Sequence, residues 1–218
     1  MTSLSAYRYF LTVRLHAPYA LTILIVVFVT GLYLVMANPF NGLDDGLGML
    51  LFVQMFLAST GFSERARRGH FDALLTFSRS RTRTLIAHWV VSILPGAAAW
   101  LLLCVTALAG GSVGTRGLGP RWAAFFIVSA MAWVAGFAMA RGTAGFLWTA
   151  ALFATVMHRT DIVTSISPAS ILFCPFALIR SGPIDARPVV TAVLLAFVAL
   201  LFAWRHAAHV DVCLVEQS

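Results

Sequence analysis

Long apolar runs separated by short polar stretches dominate the chain. Because a helix of about twenty apolar residues crosses a bilayer core of about 30 Å, each run can be compared with that length. The comparison predicts six spans, at residues 19–36, 47–62, 85–109, 122–140, 143–157 and 188–204. The second and fifth runs are short for a full crossing. The pattern therefore predicts an all-α, polytopic membrane protein with one membrane domain over residues 1–218.

Three segments between or before the spans have patterns of their own. Residues 1–18 carry a polar stripe and an apolar stripe at helical spacing, which predicts an interfacial helix that ends at Pro18. Residues 63–83 form an arginine-rich loop between the second and third spans. Residues 158–187 include an apolar stretch that is too short to cross and is broken by Pro175, which predicts a re-entrant segment before the sixth span.

The arginines predict the orientation of the chain. All fifteen basic residues are Arg, and six of them lie in the 63–83 loop. Arginine beside a span resists translocation, so this loop is expected in the cytoplasm together with both termini. Asp44 and Asp45 are then expected in an outer loop.

Composition narrows the classes of function. Hydrophobic residues make up 60% of the chain and charged residues 11%, against about 25% charged residues in soluble domains. The net charge of +7 is spread over loops beside the spans, so anionic lipid headgroups and a cytoplasmic partner are expected rather than nucleic acid. A phosphate-binding loop needs a Lys, and the sequence has none. We therefore expect a non-catalytic membrane subunit, with any ATP hydrolysis on a separate chain.

Cysteine and histidine positions predict neither a disulfide framework nor a metal site. Cys104, Cys174 and Cys213 lie at three different predicted depths. His206 and His209 are three residues apart in the tail, where an exposed polar face is the simpler interpretation. No metal ligand is therefore assigned.

Residues 64–77 are patterned as a helix with two different faces. Acidic and basic side chains alternate at every fourth position on one face, namely Glu64, Arg68 and Asp72. The apolar Phe71, Leu74 and Leu75 lie on another face and require lipid or a protein partner to cover them. Ser63 is predicted to cap the start of this helix, and residues 78–83 form a polar exit into the third span.

This pattern resembles the type-2 permease family of ATP-binding cassette exporters. The matching residues are Glu64, Arg68, Gly69, Phe71, Leu74, Leu75, Ser78 and Arg79. Family members often have Pro after the paired apolar residues, where this chain has Phe77 and Ser78. The resemblance implies a cytoplasmic coupling helix that docks onto a separate ATPase subunit, with ATP and Mg²⁺ bound on that partner.

The resemblance also implies further partners and a location. A second permease copy, identical or paralogous, and a bacterial inner membrane with its lipid are expected. The residues expected at the ATPase interface are Glu64, Arg65, Arg67, Arg68, Gly69, His70, Phe71, Asp72, Leu74 and Leu75. The implied function is export of an amphipathic or lipid-like substrate.

Polar side chains inside the spans suggest a substrate path. The most polar patch is Gln54, Ser59 and Thr60, and Phe173 and Phe176 belong to the broken outer segment. The alternative for the polar residues is hydrogen bonding to neighbouring helices or to their own backbone.

Small residues recur every fourth position in the fourth span, at Ala132, Gly136 and Ala140. Such spacing lets helices approach closely in lipid, either within one subunit or at a dimer seam.

Two other functions remain open at this point. One is a scaffold or assembly protein without transport, whose basic loop binds anionic lipid. The other is an ion-coupled secondary transporter, which the sequence disfavours because no ionisable residue is expected well inside a span. His88 is expected near the cytoplasmic start of the third span.

Overall fold

The structure is a computed structural model and describes residues 18–37, 42–66, 80–110, 118–138, 167–173, 175–180 and 186–207. These residues form helices without strands. The helices are α1 (Pro18–Ala37), α2 (Gly42–Ala66), α3 (Arg81–Ala109), α4 (Leu118–Ala138), α5 (Pro168–Phe173), α6 (Ala177–Arg180) and α7 (Ala186–Ala207). The predicted all-α class is therefore confirmed for the described part of the chain.

Four helices, α2, α3, α4 and α7, are long and apolar enough to cross a membrane, which indicates a membrane-embedded protein. Helix α1 matches the predicted first span, although its fully described part, Thr22–Ala37, is shorter than a crossing. The predicted fifth span, 143–157, and the interfacial helix over residues 1–17 lie outside the described residues. A count of six spans remains a prediction.

Helix α2 lies at the centre of the bundle and packs against α1, α3 and α4. It is the least apolar of the four long helices and the most buried, with 67% of the residues in Gly42–Ser59 inside the protein. Helix α7 is the most apolar, and only 28% of its residues are buried. Burying the most polar helix and exposing the most apolar one is favourable in lipid, because the polar side chains of α2 are covered by protein while α7 contacts hydrocarbon.

Glycines bring α1 and α2 into backbone contact. A methyl group on Gly46 would lie 3.1 Å from the Cα of Gly31, and one on Gly42 would overlap the backbone of Leu34. Gly42 and Gly46 are four residues apart and therefore share one face of α2. Close backbone approach of this kind is a main source of helix association in membranes.

A second close approach joins α2 to α4 at Gly136. A methyl group there would lie 2.6 Å from the carbonyl oxygen of Ser59. Ala132, one turn earlier on the same face, is fully buried. The small-residue stripe of the fourth span therefore serves packing within the subunit at these two positions; Ala140 lies outside the described residues.

Pairs of contacting side chains fix the helix directions. Asp44 and Arg121 meet in the first turns of α2 and α4, so these two helices run parallel. Trp133 and Phe137 contact Trp204 and His206 respectively, so α7 is also parallel to α4. Ala186 therefore lies at the same end of the bundle as Leu118.

Helix α2 begins and ends beyond the predicted second span. The acidic residues Asp44 and Asp45 lie in the first turn of α2, not in an outer loop. Carboxylates are favourable there because they face the positive end of the helix dipole. Ser63 lies within α2 and does not cap a new helix, since the helix continues through Ala66.

Helix α3 begins at Arg81, four residues before the predicted start, and is 29 residues long. Ser80 is its N-cap, because its extended backbone lets its hydroxyl accept a bond from the N–H of Arg83 at 3.4 Å. Arg81 and Arg83 are thus helical rather than part of a polar exit. They lie at the end of the bundle where α7 finishes with Arg205.

The segment that precedes α7 is broken where the sequence predicts a break. Short helices α5 and α6 flank Pro175, whose carbonyl accepts a hydrogen bond from the N–H of Leu178 at 3.0 Å. Helix α5 packs against α7, and α6 packs against α4 and α2. Leu178 and Ile179 are buried, so this segment covers part of the bundle core.

We predict that Gly136→Ala destabilises the protein. The added methyl group would collide with backbone rather than with a movable side chain, so the free energy of unfolding should fall by about 1–3 kcal/mol. Thermal unfolding of the purified protein in detergent measures this. Gly48→Ala is the control, because a methyl group on Gly48 has no neighbour within 4 Å. Equal stability of the Gly136 variant and the wild type would contradict the α2–α4 contact.

Candidate functional site

The predicted ATPase interface lies mostly outside the described residues. Glu64 and Arg65 belong to the last turn of α2, and the structure describes their backbone. The remaining predicted interface residues, Arg67, Arg68, Gly69, His70, Phe71, Asp72, Leu74 and Leu75, are not described. Their role therefore stays a prediction.

The predicted substrate-path residues are described only in part. The side chain of Ser59 is buried, and its hydroxyl donates to the carbonyl of Phe56 at 3.3 Å. Phe176, directly after Pro175, is also buried. The side chains of Thr60 and Phe173 lie outside the described set. Ser59 thus follows the alternative interpretation, in which a hydroxyl bonds its own helix.

The environment of Gln54 is different. Gln54 packs with Gly96, Trp100 and Phe125, and we call these four residues the central cluster. The Gln54 amide fills the space left by the missing side chain of Gly96, with its Oε1 closest to that position. The Phe125 ring lies 3.5 Å from the same position. Trp100 is one turn after Gly96, and its ring centroid lies 5.2 Å from that of Phe125. Three helices, α2, α3 and α4, therefore meet around one amide.

Polar atoms of the central cluster have no hydrogen-bond partner among the described residues. These atoms are Nε2 and Oε1 of Gln54 and Nε1 of Trp100. Both side chains are fully buried. An unpaired buried polar group is costly in an apolar environment, roughly 1–3 kcal/mol in proteins.

Hydroxyl groups in the same helices are satisfied. Ser92 donates to the carbonyl of His88 at 2.8 Å, and Ser129 donates to that of Phe125 at 2.8 Å. Thr106 donates to the carbonyl of Leu102 at 2.9 Å. A short side chain reaches the carbonyl one turn back, which removes its cost of burial in lipid. The amide of Gln54 differs from these hydroxyls. The indole N–H groups of Trp89, Trp100 and Trp204 also have no partner among the described residues.

Pro95 lies inside α3, directly before Gly96. Proline has no N–H, so it cannot donate to the carbonyl of Val91 one turn earlier. Gly96 adds backbone freedom at the next position. The part of α3 that faces Gln54 is consequently the part with the weakest helical hydrogen bonding.

A second cluster of polar and aromatic groups joins α3, α4 and α7. The Nδ1 atom of His88 accepts a hydrogen bond from the indole N–H of Trp133 at 3.3 Å. A neutral imidazole that accepts at Nδ1 carries its proton on Nε2. Trp204 makes edge contacts with Trp89 at 5.4 Å and with Trp133 at 6.4 Å between ring centroids. We call His88, Trp89, Trp133 and Trp204 the inner cluster.

His88 is buried near the start of α3. Because α3 begins at Arg81, His88 lies seven residues along it, about 10 Å from the helix start. Its side chain is 0% exposed. The sequence predicted the position near the start of the third span but not this burial.

An ion pair joins α2 and α4 at the end where both helices begin. The Nη2 atom of Arg121 lies 2.7 Å from Oδ1 of Asp44, and Nε donates to the same oxygen at 3.3 Å. The two side chains are 13% and 21% exposed. Asp44 also offsets the unfavourable position of a cation at the start of α4. This pair was absent from the sequence expectation, which placed Asp44 in a loop.

Within the described ranges, no three His, Cys, Asp or Glu side chains lie close enough together to hold a metal ion. His206 is exposed at the end of α7, and His209 is not described.

Comparison with known proteins adds no identification. No protein-family model matches the chain, and no curated protein or solved structure was found to be similar. The resemblance to the permease family thus depends on residues 64–79 of the sequence.

We predict that the Asp44–Arg121 pair contributes to stability. Arg121→Gln should lower the free energy of unfolding by about 1–2 kcal/mol, because it leaves a partly buried carboxylate without its partner. Thermal unfolding of Asp44→Asn, Arg121→Gln and the double variant gives the coupling between the two sites. Arg205→Gln, which removes an exposed arginine, is the control. Strict additivity of the two changes would contradict the interaction.

Proposed function

We propose that this chain is the membrane-spanning permease subunit of an ATP-binding cassette exporter. Its ATPase subunit would be a separate cytosolic chain that binds ATP and Mg²⁺. The assembly would contain a second permease copy, identical or paralogous, in a bacterial inner membrane with both termini cytoplasmic.

The observation that carries this proposal is the unbroken course of α2. The helix that occupies the centre of the bundle continues through Glu64 and Arg65 into the basic segment. A movement of the 67–79 segment would therefore act directly on the helix that contacts α1, α3 and α4. A partner can shift a conformational equilibrium only through different contacts in the two states. A stiff connection to the central helix supplies the route for such a shift.

The other end of the segment supports the same mechanism. The capped start of α3 at Ser80 and Arg81 follows directly after residues 67–79. The segment thus links α2 and α3, which also meet at Gln54 and Gly96. Displacing it would alter the angle between two helices that pack closely at Gln54 and Gly96 in the bundle interior.

The proposal predicts that Leu74→Asp abolishes co-purification with the separate ATPase subunit, without loss of membrane insertion. A carboxylate on the apolar face of the predicted coupling helix would be buried at the interface without a counter-ion. Affinity purification from solubilised membranes measures the bound ATPase. Thr76→Asp is the matched control, because position 76 lies on the opposite face of that helix.

Two results would contradict this assignment. One is unchanged co-purification of the Leu74 variant. The other is labelling of a cysteine at position 70 by a membrane-impermeant thiol reagent added outside the cell, because that would place the segment on the wrong side of the membrane.

A second candidate is a proton-coupled carrier, which the buried His88 favours. An ionisable group inside a membrane protein is a frequent element of proton pathways. Transport would then depend on a proton gradient, and His88→Gln would remove that dependence. The exporter proposal predicts instead that transport by reconstituted vesicles requires ATP and persists after the gradient is collapsed with an uncoupler.

A further inference from the structure

We infer that Gln54 and Trp100 form a binding site for the uncharged polar group of an otherwise apolar ligand. The inference rests on the proposed transport function, since it names the class of substrate that the interface of α2, α3 and α4 accepts. Both side chains are fully buried, and their polar atoms are unpaired among the described residues.

The depth of Gln54 separates it from headgroups. It lies twelve residues after Gly42, about 18 Å along α2. That distance corresponds to the middle of a bilayer core of about 30 Å. A long amide held there without a partner is costly. The hydroxyls of Ser92 and Ser129 are satisfied within their own helices, whereas the buried indoles of Trp89 and Trp204, like that of Trp100, are unpaired among the described residues.

The available hydrogen-bonding groups define the polar part of the ligand. Gln54 offers one donor group and one acceptor, and Trp100 adds an indole donor. The charged Asp44, Arg121, Arg81 and Arg83 lie in the first turns of their helices. A charged ligand group at Gln54 would therefore be buried without a counter-ion. An amide, an ester carbonyl or a hydroxyl can bond to Gln54 without that cost.

Aromatic rings define the apolar part. Trp122 lies 6.4 Å from Trp100 and 5.8 Å from Phe125 between ring centroids. These rings extend from the central cluster towards Arg121, which is adjacent to Trp122 in α4. The Asp44–Arg121 pair closes that end of the interface. Gln54 and Trp100 are thus bordered by aromatic rings, and the Asp44–Arg121 pair lies between them and the start of α4.

The test is photolabelling of the purified full-length chain in lipid nanodiscs with dodecanamide that carries a diazirine. Excess unlabelled dodecanamide should suppress labelling of α2 and α3 peptides, read by mass spectrometry. Gln54→Leu should reduce the suppressible labelling roughly tenfold, the effect of losing hydrogen bonds in a buried site. Ser59→Ala should leave it unchanged, because Ser59 bonds its own helix. Dodecyltrimethylammonium should not compete.

The melting temperature of the Gln54→Leu variant distinguishes a binding role of Gln54 from a structural one. Gln54→Leu removes two unpaired buried atoms, so its melting temperature should rise above that of the wild type. A lower melting temperature would show that the amide holds the helices together, and would overturn the inference. Suppressible labelling that persists in Gln54→Leu, no suppressible labelling of the wild type, or competition by the cation would also overturn it.

The two proposals can fail separately, because labelling requires no ATPase. Loss of this site with intact ATPase co-purification would leave the exporter assignment standing. Specific labelling, combined with failure of any ATPase to co-purify with the wild-type chain from membranes, would support the site and remove the exporter assignment.

Discussion

Covering the least apolar helix with protein is the constraint on which this structure depends. Helix α2 carries Gln54, Ser59 and two aspartates, and lipid could not satisfy their polar groups. Its neighbours surround it at short range because glycine removes side chains at the crossings, as at Gly46 and Gly136. Since dispersion forces and backbone proximity replace the hydrophobic effect in a bilayer, these crossings fix the arrangement of α1, α2 and α4.

Polar groups inside the bundle differ in whether they have a hydrogen-bond partner. Hydroxyls bond the carbonyl one turn back in the same helix, so they cost little and bind nothing else. Gln54 and the indole of Trp100 lack such partners among the described residues. Their position beside Pro95, where α3 lacks one helical hydrogen bond, puts the unsatisfied groups next to the most deformable part of a neighbouring helix. Binding and bending would therefore involve the same few residues.

Apolar periodicity predicted the helical class and the approximate position of α1, α3, α4 and α7, because lipid-facing residues must be apolar wherever the helices lie. It failed at helix ends that carry charge. Asp44 and Arg81 are helical because an ion pair or a cap stabilises them, and neither interaction is visible in local hydropathy. Gln54 stood out in the sequence as a polar residue in a span. Trp100 and His88 did not, since their significance comes from neighbours on other helices.

The length of α3 has a consequence for the surrounding lipid. With 29 residues, the helix extends about 43 Å, which exceeds the hydrocarbon thickness of about 30 Å and approaches that of a whole bilayer with its headgroups. Arg81 and Arg83 at its start therefore reach the phosphate layer. A thinner membrane must be accommodated by tilting α3, which bends most easily at Pro95. Acyl-chain length would thus act on the same turn of α3, at Pro95 and Gly96, that faces Gln54.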